Sequence, residues 1–522
     1  MSVPDVAALV ATAAAEAGER WAVVEAGGRG MTWNDLDTEV SRVATGLGDA
    51  GVVAGHRVLI AVGNRLEFVT TYLGVLRAQA VAVPVNPGST TSELTRMLAD
   101  SGARLAVADG DTVEAVRAAV AGAHDDGRTV GTVLIGGSPL AGEQSYDDLR
   151  AAEPRDLPQL QDPEKLAVLL YTSGTSGLPR AAMLTHRALL ANVEQVARVE
   201  PPMIHSDDVV LGVVPLFHVY GLNAVLGGVL RHRAKLVLAE RFDPEGTLDL
   251  IEDEACSVVP VAPPVFAHWR SVEALEERLG PVRLVLSGSA PLAAEVIEEF
   301  SGRTGIPVHQ GYGLTEAAPV VTTTLTSAAP EPGSVGAPLD GIDLRLVDDD
   351  RVPLGGADLG DPGEIEIRGA NLFSGYWPDG ADGPDEEGWW STGDVGVLDR
   401  AGDLHLVDRV KELIIVSGFN VYPTEVEAVL GEAPGVREAA VIGAEDELTG
   451  EAVVAYVVPS DPDADPAAVA AAVEAHCEDR LARFKRPTRL EVVPQLPHTV
   501  TGKVQKGRLR GQDRRRGLGI LE

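Results

Sequence analysis

The sequence predicts an α/β protein: a large N-terminal domain of layered α/β sheets with a small distorted β-barrel, then a small α+β domain. Three observations carry this. Apolar strand-like runs alternate with Ala-rich helical stretches over the first 160 residues, and again from 205 to 310, the texture of parallel strands joined by crossover helices. From about residue 330 the chain turns to glycines, prolines and short alternating strands. After Arg409 a strand, a helix and more strands follow in a compact stretch of their own.

Taken in order, Arg57-Val-Leu-Ile-Ala-Val reads as a buried strand, Leu66 to Ala78 has helical spacing, and Ala80-Val-Ala-Val-Pro-Val is a strand again. Asp208-Val-Val-Leu-Gly-Val-Val, Ala234-Lys-Leu-Val-Leu-Ala, Cys256-Ser-Val-Val-Pro-Val and Val282-Arg-Leu-Val-Leu-Ser repeat the strand texture. Gly363-Glu-Ile-Glu-Ile-Arg and Gly402-Asp-Leu-His-Leu-Val alternate as half-buried strands do, which places a β-rich subdomain over about 330–409. In the tail, helices are predicted over about Pro423 to Leu430 and about 465 to 482, with strands near 438–443 and 452–458. The expected division is therefore 1–409 and 410–522.

The chain has 522 residues, too many for one ordinary core, and 45% apolar content fills several. Lys plus Arg number 43 against 78 Asp plus Glu, a net charge of −35 that repels nucleic acid and anionic lipid. No nucleic-acid partner is expected. Two distant cysteines, Cys256 and Cys477, give no disulfide framework. No signal peptide and no long uncharged apolar run is read, so a cytoplasmic location without an integral membrane segment is expected. Lysine is scarce, with six in the chain, and four of them (Lys411, Lys485, Lys503, Lys506) lie in the last 112 residues.

The strongest local signal is Tyr171-Thr-Ser-Gly-Thr-Ser-Gly-Leu-Pro-Arg, at the end of a buried strand. Glycines let the backbone approach a ligand closely, while hydroxyls and N–H groups donate to phosphate oxygens. Thr172, Ser173, Gly174, Thr175, Ser176, Gly177 and the cation Arg180 are thus candidate phosphate-binding residues, though the Walker pattern GxxxxGK[ST] is absent. No HExxH motif or clustered His/Cys spacing marks a zinc site, and no GxSxG elbow is present.

This string resembles the signature of the adenylate-forming superfamily: acyl-CoA synthetases, peptide-synthetase adenylation domains and firefly luciferase. Further segments extend the resemblance over nearly the whole chain, in the expected order. They are Pro215-Leu-Phe-His-Val-Tyr-Gly, Ser287-Gly-Ser-Ala-Pro-Leu, Gln310-Gly-Tyr-Gly-Leu-Thr-Glu, Ser391-Thr-Gly-Asp, Asp408-Arg-Val-Lys-Glu-Leu-Ile-Ile-Val-Ser-Gly-Phe-Asn-Val-Tyr-Pro and Pro497-His-Thr-Val-Thr-Gly-Lys. Two departures stand out: Arg180 and Ala181 occupy positions where the family usually has Lys and Gly. The charge survives, and the wider guanidinium implies slower loop closure over pyrophosphate.

The resemblance implies ATP with Mg²⁺ and a carboxylic acid as ligands, an acyl-adenylate intermediate, and transfer to a thiol, usually that of coenzyme A. It gives Tyr312 a stacking role against adenine, Thr315 a phosphate contact and Glu316 the Mg²⁺. Gln310, Gly311, Gly313, Ser289 and Ala290 would surround the nucleotide, and small residues there allow close approach. Asp394 would chelate the ribose hydroxyls, with Arg409 assisting. His218 would gate the acyl pocket. Lys411 would be the hinge about which a mobile C-terminal domain rotates between the two half-reactions. Lys503 would reach the α-phosphate and carboxylate during adenylation, and Gly418 and Phe419 would line the pantetheine tunnel after rotation.

Within the superfamily the segments around Tyr312 and Val407 look most like bacterial long-chain fatty acyl-CoA ligases. Leu216 to Leu226 and Val258 to Trp269 are expected to line an apolar acyl pocket. No Asp lies within Leu211 to Leu226 to hold a substrate ammonium, which argues against an amino-acid substrate. The leading expectation is a medium- or long-chain fatty acid, with an aryl or specialised acid, or a carrier protein acting in trans as acceptor, as the alternative. A non-catalytic nucleotide-binding role is opposed by Glu316, Asp394, Arg409 and Lys503. Oligomeric state has no signature in the sequence.

Overall fold

The structure is a computed structural model. It describes residues 4–125, 129–172, 179–289, 292, 294–328, 330, 331, 333–348, 351–354, 363–409, 414–421, 423–497, 504, 506, 509, 510, 512 and 513.

Two seven-stranded sheets form the bulk of the N-terminal domain. In one, parallel strands Arg57–Ala61, Val81–Pro84, Leu105–Ala108 and Gly131–Leu134 alternate with helices Leu66–Arg77, Thr91–Ser101 and Val113–Asp125. Leu166–Thr172 joins this sheet parallel to Val81–Pro84 and turns back antiparallel through Arg180–Thr185. The other sheet sets Val209–Gly212, Lys235–Leu238, Val258–Val261, Leu284–Ser287 and Val308–Gln310 in parallel. Strand Trp21–Glu25 crosses to this second sheet and pairs parallel with Lys235–Leu238, a long-range pairing no local pattern announces.

Strands covered on both faces read as unbroken apolar runs, and Val58, Leu59 and Ile60 are fully buried. Helix Leu66–Arg77 is apolar nearly all round, because Phe68, Val69, Tyr72, Leu73 and Leu76 sit in the large core shared by the two sheets. Each such side chain contributes about 1.5–3 kcal/mol by burial. Gly74 lets this helix close on Trp33–Asp49, since a Cβ there would stand 2.6 Å from Val43 Cγ1.

The β-rich subdomain is a four-stranded antiparallel half-barrel of Ile342–Val347, Gly363–Gly369, Trp389–Leu398 and Leu404–Arg409, paired in chain order. The C-terminal domain has its own sheet (Ile414–Val416, Phe419–Val421, Val436–Asp446, Gly450–Pro459, Arg489–Val492) under helices Pro423–Gly431 and Pro466–Glu478. Its core includes Cys477, whereas Cys256 lies in the core of the second large sheet. Burial pushes the Cys256 thiol up to about 12 and the Cys477 thiol up to about 11. No described helix is long and apolar enough to cross a membrane.

One expected pocket wall is misplaced by the sequence. Val265, Phe266 and Trp269, on helix Pro264–Trp269, face the core of the second sheet. From Val258 to Trp269, Pro260 alone among the described residues lines the cleft.

Candidate active site

The cleft lies where parallel strands end, the usual place for ligands in open α/β sheets. It has a volume of about 160 Å³. Thr172 ends one strand, Ser287 a second and Gln310 a third, and all three line the same cleft.

Glu316 is the middle residue of the short 3₁₀ turn Thr315–Ala317 and is 8% exposed. Its Oε1 accepts the Tyr376 hydroxyl at 2.5 Å and the Thr172 hydroxyl at 3.4 Å. Burial pushes the carboxyl up, the Tyr376 hydrogen bond offsets part of this, and the neighbouring Asp394 charge adds to the rise. No salt bridge neutralises it among the described residues. Arg180, at the start of its strand, stacks its guanidinium 3.8 Å over the Tyr376 ring and pairs with Asp382 at 2.7 Å. The sequence reading missed Tyr376; an aromatic in a Gly-Tyr-Trp-Pro stretch carries no local sign that it underlies a carboxylate.

Tyr312 is 5% exposed and donates its hydroxyl to Asp394 Oδ2 at 2.7 Å. Asp394 stands directly across the half-barrel from Arg409, its cross-strand partner. Gln310 spends its amide on the protein: Nε2 donates to the Ser334 carbonyl at 2.9 Å, and Oε1 accepts from Leu292 N at 3.3 Å. Its role is to fix the loop. Gly311 lies flat on the neighbouring strand, where a Cβ would meet the Thr322 carbonyl at 2.3 Å.

His218 precedes an eight-residue π-helix, Tyr220–Gly227, a form enriched at functional sites. Its Nδ1 accepts from Tyr220 N at 3.3 Å, so the neutral ring carries its proton on Nε2. Burial holds the imidazole down at about 4, which keeps it neutral at physiological pH. Tyr220 donates to the Leu286 carbonyl at 3.1 Å, and a Cβ on Gly288 would press its ring at 2.9 Å. Ser289, with φ of +74°, lines the cleft opposite Gly418, whose Cβ position lies 3.1 Å from Ser289 Cβ.

A second cavity of about 110 Å³ meets the first at Thr172, His218 and Thr315, which line both. Phe217 of the N-terminal domain and Phe419 of the C-terminal domain stack across it with centroids 6.0 Å apart. Phe484 packs on Phe419 at 4.7 Å. Lys485, buried at 7% exposure, lines the same cavity and pairs with Glu93 and Glu425. The scarcity of lysine was the available signal for Lys485; its two partners, far off in sequence, had none.

Of the residues singled out from the sequence, the structure brings together Thr172, Arg180, His218, Ser289, Gln310, Gly311, Tyr312, Gly313, Thr315, Glu316, Asp394, Gly418 and Phe419 around the two cavities. Ser173, Gly174, Thr175, Ser176, Gly177, Ala290, Lys411 and Lys503 lie outside the described residues. The first cavity is also lined by Val196, Met203 and Ile204, which lie before the expected stretches.

This site belongs to a known class. The model of the AMP-binding enzyme family matches residues 10–377, and that of the AMP-binding enzyme C-terminal domain matches 425–503. The chain belongs to the AMP-binding enzyme family, within the adenylate-forming superfamily. Among its relatives, a 4-coumarate–CoA ligase 3 of Oryza sativa subsp. japonica is 33% identical, over 95% of this chain and 90% of its own length. A feruloyl-CoA synthase of Amycolatopsis sp. is 36% identical, over 93% and 95%. The o-succinylbenzoate CoA synthetase of Bacillus subtilis, solved with a product analogue, superposes with a TM-score of 0.82 at 27% identity, over 96% of this chain and 98% of that one.

Proposed function

We propose that the protein is an ATP-dependent acid–CoA ligase acting on an aromatic acid. The observation that carries the reading is the meeting of two cavities at Thr172, His218 and Thr315. The first half-reaction needs a carboxylate oxygen to attack the α-phosphorus of ATP, with pyrophosphate leaving. The second needs a thiol sulfur to attack the acyl carbon, with AMP leaving and the thiol proton released. Two reactants that must approach one carbonyl from different sides need two routes to it.

In this reading the first cavity holds the adenylate. Asp394 takes the ribose hydroxyls, and Tyr312 aligns that carboxylate while packing on adenine. Thr315 and Thr172 donate to phosphate oxygens. His218 Nε2–H donates to an oxygen of the acid, which the neutral ring does without repelling a cation. Glu316 fits Mg²⁺, being a buried carboxylate with no ion-pair partner among the described residues; the metal, when bound, neutralises phosphate charge. Lys503 and the glycine- and hydroxyl-rich stretch 173–177 are proposed to complete the phosphate contacts, with Lys411 as hinge. Gly418 and Phe419, beside the cavities, support the arrangement in which a pantetheine thiol enters through the second one.

The fatty acid expected from sequence gives way here to an aromatic acid. The relatives that match over nearly full length are named for 4-coumarate and ferulate. The acyl end of the cavity is apolar and ends on Val196, Met203 and Ile204, which suits a ring. The test is acid-dependent ATP–pyrophosphate exchange with 4-coumarate, ferulate, benzoate, palmitate, malonate and leucine, each with and without CoA. Exchange with the ring acids and a CoA thioester product are expected. Exchange with palmitate alone, or an adenylate that CoA does not discharge, overturns the reading.

A further inference from the structure

Residues 373–377 are laced between the strand Arg180–Thr185 and the turn that carries Glu316. Phe373 N donates to the Glu316 carbonyl at 2.8 Å, Ser374 N to the Met183 carbonyl at 2.9 Å and Trp377 N to the Ala181 carbonyl at 2.9 Å. Met183 N returns a bond to the Gly375 carbonyl at 3.1 Å. Gly375, at φ of +89°, makes the bend, and a Cβ there would collide with the Gly380 carbonyl.

These bonds fix the backbone on either side of Tyr376, and two groups pack its ring. Arg180 stacks its guanidinium 3.8 Å above the ring, and Phe373 meets it edge-on with centroids 5.0 Å apart. Phe373 is itself fully buried and braced by Trp390 at 5.1 Å. A phenol held in this way has little choice of where its hydroxyl points, and the hydroxyl ends on Glu316 Oε1 at 2.5 Å. Thr172 donates to the same oxygen at 3.4 Å.

Satisfying a buried carboxylate asks only for a donor, and a mobile one would serve. Here the donor is pinned through backbone and ring alike, which is the pattern of a group that orients a metal ligand. We propose that Tyr376 is a positioning residue: its hydroxyl orients the Glu316 carboxylate for Mg²⁺ bound with the nucleotide, and its ring ties that carboxylate to Arg180. This rests on the reading of Glu316 as the Mg²⁺ carboxylate and extends it to the residue behind.

The test is the affinity for α,β-methylene-ATP, which resists cleavage at the bond the reaction breaks, measured by calorimetry with Mg²⁺ and again in EDTA. The ratio of the two isolates the contribution of the metal. No acid is present, so the outcome does not depend on which acid is the substrate. Tyr376→Phe keeps the ring and removes only the hydroxyl. It is expected to lower the ratio about tenfold, with the affinity in EDTA held within about twofold. Glu316→Gln is expected to lower the ratio at least as far. A ratio unchanged in Tyr376→Phe while Glu316→Gln lowers it overturns the proposal and leaves Glu316 with the metal. Equal losses with and without Mg²⁺ in Tyr376→Phe make the hydroxyl merely structural and overturn it too. An unchanged ratio in Glu316→Gln overturns the reading of Glu316 and the proposal together.

Discussion

Lys485 Nζ in the C-terminal domain stands 3.1 Å from Glu93 Oε1 on helix Thr91–Ser101 of the N-terminal domain, and 2.9 Å from Glu425 Oε1 of its own domain. The three groups are nearly free of water, at 7%, 1% and 2% exposure. Burial pulls the Lys485 ammonium down, but Glu425 and Glu93 outweigh it and the net direction is up. The pair therefore ties the two domains in the arrangement seen here.

Glu93→Gln tests that tie. The Glu93 side chain also completes the capping box with Thr90, a role Gln keeps, so the helix should hold. Breaking a buried pair costs several kcal/mol, of which the inter-domain arrangement bears a part. Thioester formation is expected to fall about tenfold, an effect of about 1.4 kcal/mol, while ATP–pyrophosphate exchange stays within about twofold. Equal loss in both assays counts against the tie.

Tyr312 and Asp394 give a graded pair. Removing the hydroxyl in Tyr312→Phe deletes a 2.7 Å hydrogen bond, and about 1 kcal/mol predicts a roughly fivefold higher KM for ATP. Asp394→Asn removes the charge as well, and a rise of roughly tenfold or more is expected. Nucleotide titration by calorimetry checks both, and a larger effect from Tyr312→Phe would reverse the assigned order.

Arg180→Lys replaces a planar guanidinium stacked 3.8 Å over Tyr376 with an ammonium that stacks less well. A loss of about 0.5–1 kcal/mol in cation–π contact predicts a KM for ATP raised about two- to fivefold. Steady-state kinetics at fixed acid and CoA reads it directly.

Acid sensitivity should follow His186. Its Nδ1 accepts from Val6 N at 3.4 Å, and burial lowers it from 6.5 to about 4. The unfolded chain takes up a proton below pH 6.5 that the folded protein refuses until about 4. The stabilisation is therefore complete above pH 6.5 and lost as pH falls to 4, by up to about 3 kcal/mol. Urea midpoints at pH 7.5, 6 and 5 should decline in that order, and His186→Gln should flatten part of the slope.

How much the sequence revealed depends on distance along the chain. Thr172 and the glycines and hydroxyls after it are singled out because strand, glycines and hydroxyls lie side by side in the sequence, whereas Gln310 to Glu316 and Asp394, which lies within strand Trp389–Leu398, are singled out by resemblance to the superfamily. Helix spans such as Leu66–Arg77 came from periodicity alone. The sheet to which Trp21–Glu25 belongs did not, because pairing with Lys235–Leu238 leaves no mark on either segment. Val265, Phe266 and Trp269 were read as pocket wall, since apolar residues carry no label saying which core they fill. The link of Lys485 to Glu93 spans 392 positions and was invisible for the same reason.

The buried, protonated state of Cys256 and Cys477 bears on how an activated acyl group survives here. With thiols at about 12 and about 11, about one in a thousand or fewer is thiolate at pH 8. Both cysteines are buried and neither lines either cavity, so a mixed anhydride formed there in the proposed reaction is expected to escape attack by these thiols. The folded protein is accordingly expected to react slowly with thiol-reactive dyes, so that consumption of an added thiol is followed in its presence against a low background.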